Sequence, residues 1–301
     1  MAVFGTAVSA KQLSIVSTTG MIADAAREIG GELVDVQSLM GPGVDPHAYR
    51  QTRSDIVTLT RADLVLWHGL FLEAQMEEFL IDLGETSDVV AVADALPQNL
   101  LLPNDDYADR FDPHVWMDPT LWKSVVATIS DAMIAAAPEH AADFETQTAA
   151  YLDELTALAE YKRNVLASVA PEARVLLTAH DAFNYFGAAY GFEVMGIQGI
   201  STESEAGLQR ISELVDLLVT RDIQAVFVET SVSDRNIRAL IEGAAAQGHE
   251  VIIGGELFSD AMGPDGTYEG TYIGMIDHNA STISAALGGD APVDGMQGLL
   301  N

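Results

Sequence analysis

Along the chain, short apolar runs alternate with stretches that carry apolar residues at helical spacing. Leu13–Ser17, Leu33–Val36, Asp63–Trp67 and Val89–Val92 read as strands. A helix over about Met21–Ile29 follows the first, and helical segments separate the others. The pattern then restarts. Arg174–Thr178, Glu193–Ile197, Ala225–Glu229 and Glu250–Ile253 form a second set of strands, with helices over about Ala182–Tyr190, Glu205–Thr220, Asp234–Gln247 and Met275–Leu287. Such alternation predicts an α/β fold: two similar lobes of mostly parallel sheet with flanking helices.

Between the two sets, residues 139–169 contain neither Gly nor Pro. Phe144, Tyr151, Leu155, Leu158, Val165 and Val169 recur there at spacings of three, four and seven. One long helix is expected, ending before Pro171 and linking the lobes. The resulting division is 1–10 a signal-peptide remnant, 11–138 an N-terminal lobe, 139–169 the linking helix, 170–288 a C-terminal lobe and 289–301 a loose tail rich in Gly, Pro and Asp.

Composition narrows the functional classes. The chain has 45 acidic and 14 basic residues, a formal net charge of -31. Nucleic acids and anionic membrane surfaces are therefore repelled. The acidic surface fits adaptation to a salty environment, and it also gathers cations. There is no cysteine, so any metal must be held by His, Asp, Glu or backbone oxygen. Residues 1–10 are small and apolar, and Val8-Ser9-Ala10 fits a signal-peptidase site. This predicts an exported, soluble periplasmic protein, and the lack of a nearby cysteine fits that better than a lipoprotein. No other stretch reaches the roughly 18 apolar residues of a membrane span.

The chemistry centres on histidine. The tripeptide Asp-Pro-His occurs twice, at Asp45-Pro46-His47 and Asp112-Pro113-His114, and His180 ends the strand before Asp181. All three lie past or beside strand ends, the ligand-binding edge of parallel sheets. Proline restricts the residue before it and stiffens the loop. One such tripeptide is ordinary as a capping turn, but two copies with a third strand-end His favour a metal site. An oxygen ligand is needed beside them. Asp260, past the last strand, leads over Glu256 and Glu229, although helix capping by Ser259 or Asp260 reads the same local sequence equally well. Glu229, at a strand end, suits an acceptor for a ligand imidazole. Gly254 and Gly255 predict a flexible loop before Asp260. His68, after Trp67, is a candidate for the wall of the site; His140, His249 and His278 look structural or exposed.

At these residues the sequence resembles the substrate-binding components of zinc and manganese ABC importers, the TroA-like family. The resemblance spans roughly Lys11 to Gly288. It rests on Gly43–His47, Asp112–Pro119, Thr178–Phe183, Gly255–Gly263 and Gly270–Met275. It implies a metal buried between two lobes, held by His47 and His114 from the first and His180 and Asp260 from the second. It also implies Mn2+ or Zn2+ as cargo, an ABC importer's membrane permease as partner, and a monomeric carrier. Some members carry a long His-rich loop before the second Asp-Pro-His; here Pro103–Arg110 holds no His, which speaks against a dedicated zinc scavenger. A metal-dependent hydrolase and an adhesin are the alternatives. Neither a His-Glu-x-x-His helix nor a nucleophile motif supports the hydrolase.

Overall fold

The computed structural model describes residues 11–300 apart from Asp105, Asp106, Ala108 and Glu205; the expected signal-peptide remnant lies outside them. In the first lobe, strands β1 (Leu13–Ser17), β2 (Val34–Ser38), β3 (Leu64–Trp67) and β4 (Val89–Ala91) form a parallel sheet in the order β2-β1-β3-β4. Helices α1 (Gly20–Gly30), α2 (Arg53–Leu59), α3 (Glu77–Gly84) and α4 (Pro119–Ala136) accompany it. The start of α4 follows from Asp118-Pro119: the Asp118 carboxylate accepts Thr120 N–H at 2.8 Å, and proline sits at the first helical position.

The second lobe repeats the plan. Parallel pairs β5 (Val175–Thr178) with β6 (Glu193–Gly196), and β7 (Ala225–Glu229) with β8 (Ile252–Leu257), meet where β5 runs beside β7. The two pairs are separate sheets in contact through β5 and β7, and their spatial order, β6-β5-β7-β8, parallels the order of the first sheet. Each lobe therefore has a switch point between its first and third strands, where loops diverge and leave a crevice.

Helix α5 (Ala141–Ala167) joins the lobes, entered through a short 3-10 turn at Pro138–His140. Its 27 residues span about 40 Å. Phe144, Tyr151, Leu155, Leu158 and Val165 form its buried stripe. It packs on α1 and α4 of the first lobe and on α6 (Asn184–Tyr190) and α9 (Tyr272–Ala286) of the second. One apolar core runs through both lobes across this helix, and Trp122 of α4 stacks on Tyr272 of α9 with centroids 5.1 Å apart. Helices α7 (Leu208–Thr220) and α8 (Arg235–Ala246) close a second core within the C-terminal lobe. Among the described residues, no helix is long and apolar enough to cross a membrane.

Two sequence expectations change. Strand β8 continues to Leu257, so Gly254 and Gly255 lie inside it and do not loosen a loop. A Cβ on Gly255 would sit 2.3 Å from Thr282 Cγ2 of α9, and one on Gly254 would sit 2.9 Å from Ala286 Cβ and 3.0 Å from the Phe227 ring. The glycines let α9 press onto β8. Gly255→Val is accordingly expected to destabilise the fold by ~1–3 kcal/mol through overpacking, read from the urea midpoint; an unchanged midpoint would contradict this role. The C-terminal segment, expected to be loose, is tied down: Asp290 N–H donates to Ser168 Oγ at 2.8 Å and Met296 N–H to Asp277 Oδ2 at 2.7 Å.

Candidate metal centre

His47 lies in the loop after β2, His114 in the loop after β4, His180 just after β5 and Asp260 just after β8. Their ligand atoms all lie within 4.8 Å of one another. His47 Nε2 is 3.3 Å from His114 Nε2. Asp260 Oδ1 is 3.3 Å from His114 Nε2, and Asp260 Oδ2 is 3.1 Å from His180 Nε2 and 3.8 Å from His47 Nε2. All four residues are buried, none more than 3% exposed. Both Asp260 oxygens and His180 Nε2 lack a well-formed hydrogen bond. Buried polar atoms ordinarily find partners, so groups that face a common point without bonding one another suit a cation between them.

Carboxylates hold the outer sides of two rings. His114 Nδ1 lies 2.7 Å from Asp112 Oδ1, which also accepts His114 N–H at 2.9 Å. His180 Nδ1 lies 2.5 Å from Glu229 Oε2, and Glu229 Oε1 accepts His180 N–H at 2.9 Å. Glu229 ends β7, so this pair bridges the switch point of the second lobe. Such bonds place the ring proton on Nδ1 and aim Nε2 inward. Asp45 accepts His47 N–H at 2.9 Å. Glu229→Gln is expected to lower metal affinity ~10–100-fold in a competition titration, with wild-type affinity counting against the assignment.

The Asp260 loop is tied down on both sides by hydrogen bonds at Phe258 and Ser259. Asn279 on α9 donates to Phe258 O at 2.7 Å and accepts Phe258 N–H at 2.9 Å. Ser259 O accepts the Trp116 indole N–H of the first lobe at 2.9 Å. Tyr272 O–H and Lys162 Nζ in turn donate to the carbonyls of Trp116 and Met117, at 2.8 and 2.6 Å. The second Asp-Pro-His turn is thus fastened to the long helix and to the opposite lobe. His68 stands behind it: its Nε2 donates to Pro113 O at 2.7 Å and its ring meets Trp116 edge-on at 5.0 Å. Burial pulls His68 down to about 3, so it stays neutral.

The ligand groups differ in charge. Burial lowers His47 to about 3. Burial also opposes charge on His114, but Asp112 and Asp260 outweigh it and raise His114 to about 9. His180 is held well above the ordinary range because Asp260 and Glu229 overcome its burial. Asp260 is held well below the usual carboxylate range because His180 and His114 outweigh its burial. The surroundings thus favour the charged forms of His114, His180 and Asp260 and disfavour charge on His47.

Two openings flank it. A cleft of ≈290 Å³ between the lobes, lined by Ser38, Met40 and Met262, reaches Asp260. A crevice of ≈240 Å³ on another side is lined by Asp45, Gln198, Thr202 and Arg235. Among the other sequence candidates, Glu256 lies in β8 with its carbonyl accepting from His278 Nε2 at 2.9 Å. His249 Nε2 donates to Ile223 O at 2.7 Å, and the His140 ring rests against Phe144 at 6.0 Å. The orienting role of Asp112 was not singled out in the sequence, although its place two residues before His114, an Asx-turn spacing, is the signal.

The sequence signature of the family described as zinc-uptake complex component A, periplasmic (ZnuA), matches residues 15–286. The manganese-binding lipoprotein MntA of Bacillus subtilis (strain 168) is 50% identical over 277 residues, 92% of this chain and 90% of that protein. The zinc-binding protein TroA of Treponema pallidum (strain Nichols) is 46% identical over 273 residues, 91% of this chain and 88% of that protein. The solved structure of the periplasmic zinc-binding protein TroA from Treponema pallidum is similar with a TM-score of 0.90 at 45% identity, covering 92% of this chain and 99% of that one.

Proposed function

The chain belongs to the family of periplasmic zinc-uptake complex component A, and on that premise we propose that His47, His114, His180 and Asp260 hold one Mn2+ or Zn2+ ion as cargo. The protein is a periplasmic solute-binding component: it captures a divalent transition metal and delivers it to the membrane permease of an ABC importer. It is a transport protein and not an enzyme.

The observation that carries the ligand assignment is the convergence of three imidazole Nε2 atoms on both unpaired oxygens of Asp260. Imidazole and carboxylate suit zinc and manganese; at an open choice zinc binds at least as tightly by the Irving–Williams order. With both carboxylate oxygens turned inward, the site offers a fifth donor atom beyond a zinc tetrahedron, which favours manganese when manganese is the more available ion. All four ligands come from one chain, so the site needs no second copy to be complete.

The test is metal analysis of protein purified without added metal, with competition titrations of Mn2+ and Zn2+. One ion per chain is expected, and His47→Ala or His114→Ala is expected to weaken binding by orders of magnitude. Wild-type affinity in either variant would overturn the ligand assignment.

A further inference from the structure

The aspartates of the two Asp-Pro-His motifs each face two ways. One oxygen accepts the backbone N–H of the motif's own histidine, at 2.9 Å in both cases. The other oxygen reaches across to the C-terminal lobe. Asp112 Oδ2 accepts Asn184 Nδ2 at 3.1 Å, and Asp45 Oδ2 accepts the Thr202 hydroxyl at 2.5 Å.

The two loops are not equally secured. His114 is also held at Nδ1, and its turn is fixed by Tyr185 O–H on Asp112 O at 2.9 Å and by the bonds from Tyr272 and Lys162. Among the described residues, no carboxylate lies at Nδ1 of His47. The His47 loop leaves β2 through Gly41-Pro42-Gly43, with Gly43 in the left-handed region at φ 71°. There it passes so close to the second lobe that a Cβ would lie 3.3 Å from Thr230 O. The segment that carries Thr202 is tied to Gln198, whose Nε2 donates to the carbonyl of Ser204 at 3.1 Å and lies 3.5 Å from that of Thr202. The bond between Thr202 and Asp45 borders the ≈240 Å³ crevice.

We propose that the Thr202 hydroxyl is a positioning group that latches the His47 loop to the opposite lobe through Asp45, and that opening this latch sets the rate of metal release. The inference rests on the metal-centre reading above. Breaking the hydroxyl–carboxylate bond frees Asp45 to move with the loop. His47 then withdraws, while His114, His180 and Asp260 stay fixed by their own contacts. Release therefore proceeds by loss of one ligand before any wide separation of the lobes.

The experiment follows release of Mn2+ or Zn2+ from the loaded full chain into excess EDTA by stopped flow. Thr202→Val is expected to release metal ~10-fold or more faster, the scale of a lost hydrogen bond to a charged group. Thr202→Ser is expected to restore the wild-type rate. Thr202→Ala lacks the hydroxyl without adding a methyl and is expected to release as fast as Thr202→Val, which covers a failure of the valine variant to fold. Wild-type release by both hydroxyl-free variants overturns the latch alone, as does equal acceleration in Thr202→Ser. Absence of metal binding by the wild type overturns the metal-centre reading and the latch with it.

Discussion

Asp260→Ala is expected to lower metal affinity ~10³-fold, the equivalent of removing one partner from a buried charged set, and to lose most of the thermal stabilisation by metal. Asp260 faces all three imidazoles, with its two oxygens at 3.1–3.8 Å from their Nε2 atoms. It is also the only ligand with a formal negative charge. The two lobes already touch through one continuous core and through the Trp116–Ser259 bond, so the ion adds a cross-link between lobes that are already in contact. Wild-type protein should gain about 4 kcal/mol of stability at a thousandfold excess of metal over the dissociation constant. The three imidazoles of the variant retain weak binding, two of them on the first lobe, so most of that gain disappears. Melting curves with and without metal read this directly. An equal metal-induced shift in Asp260→Ala would show that Asp260 does not join the second lobe to the ion.

Much of the architecture was legible because it rests on local pattern. Leu13–Ser17 and Ala225–Glu229 are apolar runs bounded by polar residues, and both are strands with the bounds read from sequence. The linking helix was visible because a stripe such as Phe144, Tyr151 and Leu158 needs no knowledge of what it packs against. The end of β8 was not legible. Gly254 and Gly255 weaken a strand by intrinsic preference, and only the approach of Thr282 and Ala286 explains them there. The four residues that converge were marked by their places at strand ends. What aligns them was mostly hidden, since Thr202 lies 157 positions from Asp45 and Asn184 lies 72 from Asp112. Pairings at such distances follow from how the lobes meet and leave no spacing signal in one sequence. Glu229 was readable as an acid at a strand end, but its bond to His180 depends on β5 and β7 lying side by side.

Metal uptake at pH 7.5 is expected to release about two protons per ion, because the histidine ligands must shed their protons to coordinate. An isolated imidazole would place the onset of proton competition near its ordinary value of about 6.5. Here His114 is raised to about 9 and His180 lies well above its ordinary value, whereas His47 is lowered to about 3 and is already neutral. Both shifts favour the imidazolium forms of His114 and His180 before the ion arrives. A divalent cation that replaces two protons leaves the buried charge unchanged, which spares the centre the cost of a net charge in low dielectric. The sign follows from linkage. The raised histidines stabilise the metal-free fold fully below about 6.5; the His114 contribution is lost as pH rises through about 9 and that of His180 well above its ordinary value. Asp260, being lowered, contributes above its unfolded value of 3.8 and loses that contribution only in acid. Metal affinity moves the opposite way to the histidine term, rising about a hundredfold per pH unit while two protons are displaced. Calorimetry at pH 7.5 in buffers of different ionisation enthalpy counts the protons, and titrations from pH 6 to 8 give the slope. A count near zero, or affinity that stays flat over that range, would mean that His114 and His180 are neutral before the metal arrives.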